Sequence, residues 1–111
     1  MYVDEKWGGL GLKDFRYTQI QIEEMSRIGE SGFAMSLHSD VIGVYLDSFA
    51  NDEQKARWMP GIISGEKILA VAMTEPGTGS DLNNITTRVE DKGDYLLLNG
   101  AKTFISNGIL S

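Results

Sequence analysis

The hydrophobic pattern of this chain changes period near Gly65, which argues against both an all-helical bundle and an all-strand sandwich. Before Gly65, apolar residues recur at helical spacing. Tyr17, Ile20, Ile22, Met25 and Ile28 follow Asp14, a residue type that caps helix N-termini, so a helix is predicted over 15–28 with Gly29 stopping it. A second is predicted over 31–49, with Phe33, Leu37, Val41, Val44 or Tyr45, and Phe49 on one stripe. Ile42 and Leu46 fall off that stripe, which implies burial on more than one side. A third begins after Asn51. Asn51 and Gln54 stand at capping-box spacing, and Asp52 and Glu53 suit the positive end of the helix dipole. Pro60 is expected to break or restart that helix, and Gly65 to end it.

After Gly65 the texture is that of strands. Residues 68–73 (ILAVAM) form a short, nearly unbroken apolar run of strand length. A loop over 74–84, rich in Gly, Thr, Ser and Asn, follows it. Residues 86–90 alternate, 91–94 turn the chain, and 95–98 read as the returning arm of a hairpin. Asn99-Gly100 is a two-residue turn signal, and 102–105 read as the next short strand. Helices followed by antiparallel strands make the fold class α+β. The division falls into a helical part over 1–66 and the start of a β-domain over 67–111.

Bulk properties narrow the function classes. The chain has 111 residues and a formal charge of −6, with its Lys and Arg scattered, so it lacks the basic stripe a nucleic-acid binder needs. It has no cysteine and one histidine, which leaves no thiolate metal site, no disulfide framework and no His-based metal cage or protease triad. No apolar run approaches the roughly eighteen residues of a membrane span, and the N-terminus does not read as a signal peptide. Any chemistry must be carried largely by a cofactor.

The loop Thr74-Glu75-Pro76-Gly77-Thr78-Gly79-Ser80-Asp81 is where a cofactor would be met. Its glycines let backbone approach a ligand, its hydroxyls at Thr74, Thr78 and Ser80 can bond a polar edge, and its N–H groups can form an anion-binding concavity. Composition alone favours an ordinary wide turn with an Asp cap. The loop is neither a dinucleotide fingerprint nor a P-loop, because no helix follows it and no Gly-Lys-Ser/Thr occurs.

The wording of the loop is more specific than its composition. Ala72-Met73-Thr74-Glu75-Pro76-Gly77-Thr78-Gly79-Ser80-Asp81-Leu82 closely resembles the flavin-loop signature of acyl-CoA dehydrogenases. The resemblance continues in order through Ile85-x-Thr87, Leu98-Asn99-Gly100-x-Lys102 and Phe104-Ile105-Ser106-Asn107-Gly108. Upstream it includes Trp7-Gly8-Gly9-Leu10-Gly11, Asp52-Glu53-Gln54-Lys55, Trp58-Met59-Pro60 and Ser64-Gly65-Glu66. Within the family, Leu37-His38-Ser39 and the closing segment look most like the long-chain members.

That resemblance implies an FAD-dependent reaction on acyl-CoA. A base takes the pro-R α proton while hydride leaves the β carbon for flavin N5, giving a trans-2-enoyl-CoA. The electrons go to an electron-transfer flavoprotein, as in fatty-acid β-oxidation. By position, Val71, Met73 and Thr74 should meet the pyrimidine side of the flavin. Gly79 and Ser80 should meet the pyrophosphate, and Ser80 the acyl-CoA as well. Phe104 should pack on the isoalloxazine, with Ile105 beside it and Ser106 near N5. Phe104 stands where Trp is more usual, Ser106 where Thr is, and Thr78 where Ala is. The family's catalytic base is a glutamate of a C-terminal helical domain and matches no residue here, so no catalytic residue is assigned. Glu75 is expected to be structural, accepting loop N–H groups beside Pro76. His38 reads as a packed helix residue, Glu23 and Glu24 as a solvated face, and Trp7 and Trp58 as core anchors, with the Trp7 loop able to line an acyl-pocket entrance.

The chain is therefore expected to be an incomplete part of a homo-oligomeric, tetrameric enzyme. Its compartment would be the cytoplasm in a bacterium or the mitochondrial matrix in a eukaryote. A non-catalytic self-associating module, or a piece of a related acyl-CoA or nitroalkane oxidase, is the alternative.

Overall fold

The computed structural model describes residues 2–32 and 35–111. After a single 3-10 turn at Glu5–Trp7 come α1 (Phe15–Arg27), a π-helical stretch Leu37–Ile42 that continues into α2 (Gly43–Phe49), and α3 (Asp52–Ser64). A second 3-10 turn, Leu82–Asn84, precedes the antiparallel pair β1 (Arg88–Asp91) and β2 (Leu96–Asn99). The α+β order read from the sequence is the one observed.

Helix ends follow the capping residues. The Asp14 carboxylate accepts the Arg16 N–H at 3.0 Å and also pairs with the Arg16 guanidinium. That pairing holds the Asp14 carboxyl below, and the Arg16 guanidinium above, their ordinary pKa values. Gly29 leaves α1 with φ of 71°. At α3 the capping box is complete. Asn51 Oδ1 accepts from Gln54 N at 2.8 Å, and Gln54 Oε1 accepts from Asn51 N at 3.0 Å. Substituting Asn51→Ala should lower stability by about 0.5–2 kcal/mol in a denaturant titration, with the loss concentrated in the first turn of α3. An unchanged midpoint would show that tertiary packing alone fixes this helix start.

Pro60 does not break α3, contrary to expectation; the helix runs on to Ser64 and ends at Gly65, whose φ is 80°. Pro60 is exposed, so the Ala56 carbonyl that loses its ladder partner lies on a side water can reach.

The second helix differs more. Gly43 N–H bonds back to His38 O, five residues earlier, which is a π turn that residue spacing did not reveal. The stripe expected to be core-facing is largely outward, with Val41 at 54%, Tyr45 at 62% and Phe49 at 74% exposure. Phe33, also on that stripe, lies outside the described residues. The inward side is the other one, through His38, Ile42 and Leu46. On α1, likewise, Tyr17, Ile20 and Ile22 are exposed, as is Ile28 just past its end. What docks α1 is polar: buried Thr18 donates to Asp40 Oδ1 at 3.2 Å.

The core is small. Val3, Met59 and Ile62 are buried, with Trp7, Leu46, Trp58 and Leu69 half-buried around them, so both tryptophans do anchor it. The radius of gyration is 16.4 Å, against about 13 Å for a compact domain of this length. The accessible surface is 8167 Å², against roughly 6,000 Å² for a compact monomer of this mass.

In the second part the hairpin pairs Arg88 with Asn99 and Asp91 with Leu96, within about two residues of the expected arms. Neither 68–73 nor 102–105 is a strand. A ladder needs a neighbour, and among the described residues the stretch 68–74 meets 102–105 through only one backbone bond, Thr103 N to Thr74 O at 3.0 Å; the second segment is also bent at Phe104, whose φ is 55°. Asn99-Gly100 is not a hairpin turn. Gly100 lies so close to Thr87 that a Cβ there would fall 2.8 Å from the Thr87 Cα, a close approach that only glycine allows.

Candidate functional site

The extended strip 69–75 and the closing segment 102–107 lie side by side and are tied at three points. Thr103 N donates to Thr74 O at 3.0 Å, Lys102 Nζ to Met73 O at 2.8 Å, and Asn107 Nδ2 to Leu69 O at 3.1 Å. The first end of the strip is also held from the helical side, where the Leu69 N–H donates to His38 Nδ1 at 3.1 Å.

The other end is fixed by Glu75, whose side chain is 4% exposed. Its Oε2 accepts the Thr86 N–H at 2.8 Å and the Thr86 hydroxyl at 2.6 Å. Its Oε1 accepts the Thr87 N–H at 2.9 Å and the Thr87 hydroxyl, with Lys102 Nζ 3.0 Å away. Donors on every side stabilise the anion, the Thr86 and Thr87 hydroxyls most of all, and hold the carboxyl far below the usual carboxylate range. With both oxygens already occupied by these donors and buried from solvent, the carboxylate has no free lone pair facing a substrate and serves as an anchor rather than a general base. The sequence reading of Glu75 as a structural N–H acceptor agrees with this, but the N–H groups are those of Thr86 and Thr87 past the loop rather than loop groups beside Pro76, and the two threonine hydroxyls and Lys102 were not anticipated.

Thr78, which sequence reasoning left without a role, has one. It is buried, exchanges backbone hydrogen bonds with Glu75 in both directions (2.8 and 3.1 Å), and donates its hydroxyl to Asn84 O at 3.1 Å. It therefore closes the loop on itself. Gly77 and Gly79 face open space, and Ser80 is exposed.

Of the predicted contact residues, Val71, Thr74 and Ile105 are half-buried, while Met73, Gly79, Ser80, Phe104 and Ser106 are exposed. The structure brings Met73 and Thr74 next to the segment carrying Phe104, Ile105 and Ser106. It joins Gly79 and Ser80 to that segment by no hydrogen bond among the described residues. Phe104 is the most conspicuous member. It is 91% exposed and holds a left-handed backbone, φ 55°, at a cost of about 1–2 kcal/mol for a non-glycine residue. The N–H groups of Val71, Met73 and Thr74 donate to no described residue. The Ala70 and Ala72 N–H groups are unused as well, and such a row of free donors beside an exposed aromatic ring suits the edge of a planar heteroaromatic ligand.

A cleft of about 660 Å³ lies elsewhere. Gly8, Gly9, Leu10, His38, Ile62 and Asn107 are among its walls, so the loop after Trp7 does line a cavity, though none of the strip's exposed groups does. Among the described residues there is no cluster of metal-ligating side chains, and no helix is long and apolar enough to cross a membrane.

Comparison with known proteins gives this geometry its context. Residues 1–66 match the acyl-CoA dehydrogenase N-terminal domain and residues 70–111 the acyl-CoA dehydrogenase middle domain. The mitochondrial long-chain specific acyl-CoA dehydrogenase of Mus musculus is 40% identical over 98% of this chain and 25% of its own length. The crystal structure of an acyl-CoA dehydrogenase from Geobacillus kaustophilus superimposes with a TM-score of 0.88 at 47% identity, covering 99% of this chain and 29% of that one. An acyl-CoA dehydrogenase from Bacillus anthracis, solved in complex with FAD, gives 0.73 at 34% identity over 96% of this chain and 19% of that one. The chain thus spans about a quarter of the length of the curated relatives it matches. With both matched segments in order and the helical and hairpin parts superimposing together, the chain belongs to the acyl-CoA dehydrogenase family.

Proposed function

We propose that this chain supplies one wall of the FAD and acyl-CoA site of a longer α,β-dehydrogenase. Residues 1–66 would form part of its N-terminal helical domain and 67–111 the start of its middle β-domain. The observation that carries this reading is the strip 69–75, pinned at both ends with the N–H groups of residues 70–74, those of Val71, Met73 and Thr74 among them, left over between. Those groups and the Thr74 hydroxyl would hold the pyrimidine edge of FAD. Phe104 and Ile105 would cover its ring system, Ser106 would bond near the reacting nitrogen, and Gly79 and Ser80 would hold the pyrophosphate, with Ser80 also touching acyl-CoA. When bound, FAD accepts the hydride from the substrate β carbon. The chain's own share is to orient the ring and exclude water from one face. The α-proton base would belong to protein outside these residues: of the two carboxylates in the loop, Glu75 is committed to Thr86, Thr87 and Lys102, and Asp81 is exposed and paired with Asn84.

The excess surface and the outward Val41, Tyr45 and Phe49 support packing against further protein, including other copies of the parent in a homo-oligomer. The reading extends to fatty-acid β-oxidation with an electron-transfer flavoprotein as acceptor, in the cytoplasm of a bacterium or the matrix of a mitochondrion.

The test is direct. The 111-residue chain, mixed with FAD and a long-chain acyl-CoA, should reduce no acceptor dye. The gene product extended in frame beyond Ser111 should purify yellow and bleach anaerobically on adding acyl-CoA. Dye reduction by the 111 residues alone would overturn the assignment of the base to other protein, and an extended product without flavin would overturn the FAD reading.

A further inference from the structure

We propose that His38 and Asn107 form a clamp on the backbone of Leu69 that sets the height and register of strip 69–75 on the helical layer, with His38 a positioning residue held as the neutral imidazole protonated on Nε2. Both backbone groups of Leu69 are taken by side chains distant in sequence. Its N–H donates to His38 Nδ1 at 3.1 Å, and its carbonyl accepts from Asn107 Nδ2 at 3.1 Å. The second ring nitrogen of His38, Nε2, lies 3.2 Å from the Ile62 carbonyl.

Donor accounting fixes the ring's state. Nδ1 receives a hydrogen, so it must present a lone pair; the Ile62 carbonyl can only accept, so Nε2 must carry the proton. Both nitrogens are thereby committed, which removes His38 from the acid–base candidates and makes it a bridge. On one side is the C-terminal turn of α3 at buried Ile62; on the other is the start of the strip.

Local backbone serves the clamp at two points. His38 sits in the π turn closed by Gly43 N–H on His38 O, where the widened turn gives its side chain a phase a regular α-helix would not. Asn107 has φ of 63°, a left-handed conformation that asparagine tolerates better than most residues. Strip 69–75 has no ladder along its length, and its two further ties, Lys102 Nζ on Met73 O and Thr103 N on Thr74 O, both lie toward the Glu75 end, so at the other end the Leu69 clamp is what resists a one-residue slip, which would turn Val71 and Met73 to the opposite face. Its two anchors, the Leu69 clamp and the Glu75 node, decide where those residues lie. The clamp follows from these contacts; its consequence for FAD rests on the reading proposed above.

The experiment uses the 111-residue chain with ¹⁵N imidazole spectra and amide hydrogen exchange. The wild-type ring should show a protonated Nε2 and an unprotonated Nδ1. His38→Leu should speed exchange of the Leu69 amide roughly tenfold, the scale of one lost hydrogen bond. His38→Asn, which keeps an acceptor near the Nδ1 position, should restore protection, and His38→Gln, which keeps only the donor toward Ile62, should not. A proton on Nδ1, unchanged Leu69 exchange in His38→Leu, or equal rescue by Asn and Gln would each overturn the clamp. The imidazole spectrum needs no substitution, so it decides the matter even if a variant fails to fold. In the extended, flavin-containing product, His38→Leu should weaken FAD retention and His38→Asn should restore it. Failure of the wild-type product to hold FAD would remove the flavin reading and leave the exchange result to judge the clamp.

Discussion

Replacing Glu75 with glutamine should release the Thr86-Thr87 corner and with it the far end of the strip. The neutral amide keeps one acceptor oxygen where the carboxylate offers two, yet four donors and Lys102 Nζ converge on this side chain. At least one threonine is left with an unmatched donor, and Lys102 loses its counter-ion. Exchange of the Thr86 or Thr87 amide should rise by about tenfold to a hundredfold, the range for a lost bond to a charged group. The Thr103 amide, which bonds Thr74 O next door, should follow. The same residue gives the chain an acid-dependent term whose sign is fixed. Its folded pKa lies far below the unfolded value of about 4.3, so folding favours the charged form. The resulting stability is fully present above the unfolded pKa and drains away as pH falls below it toward the folded pKa. Between about pH 4.5 and pH 2, wild type should lose denaturation midpoint more steeply than Glu75→Gln. Parallel pH profiles for the two proteins would show that the carboxylate's contacts contribute nothing to folding.

How far the sequence leads here depends on whether an element is specified locally. Asp14, the Asn51 and Gln54 pair, and Gly65 act on backbone groups within a few residues, and each of those helix ends lies where its residue type places it. The hairpin is similarly local. Expectations failed where a partner distant in sequence decides. Residues 68–73 have a strand's composition but lack a neighbouring strand, and so remain a strip held by His38, Thr103 and Asn107. The stripe through Val41, Tyr45 and Phe49 has the spacing of a core face, but periodicity shows only that a face is apolar, never which neighbour will cover it. At the site, residue types and order indicated the loop and the Glu75 anchor. Neither composition nor spacing could place Thr86, Thr87 and Lys102 around that anchor, because they arrive from two further stretches of chain. Thr78 was legible only in hindsight, since a Thr in a Gly-rich loop looks solvent-facing until Asn84 O is seen to accept its hydroxyl.

Met59→Ala should be the most damaging apolar substitution in the chain. Met59 is 1% exposed and clusters with Val3 and Ile62, with Trp7, Leu46, Trp58 and Leu69 packed against them. Truncating a buried Met to Ala costs about 2–5 kcal/mol, from lost transfer free energy and the cavity left behind. A domain of ordinary size has only about 5–15 kcal/mol in total, and a core with four buried apolar residues among those described, Val3, Ile42, Met59 and Ile62, belongs at the low end of that range. Met59→Ala should therefore be largely unfolded, or unfold at far lower urea than wild type, whereas Met59→Leu, close in volume, should cost less than about 1.5 kcal/mol. The damage should not stay in the helices. Leu69 packs on this core and is the residue that His38 and Asn107 hold, so Leu69 amide protection should fall together with the global midpoint in Met59→Ala. In a Glu75 variant the strip should instead loosen from its other end, with Leu69 still protected. Equal loss of Leu69 protection in both variants would mean that core and site unfold as one unit; a difference would show the strip to be anchored at two independent ends.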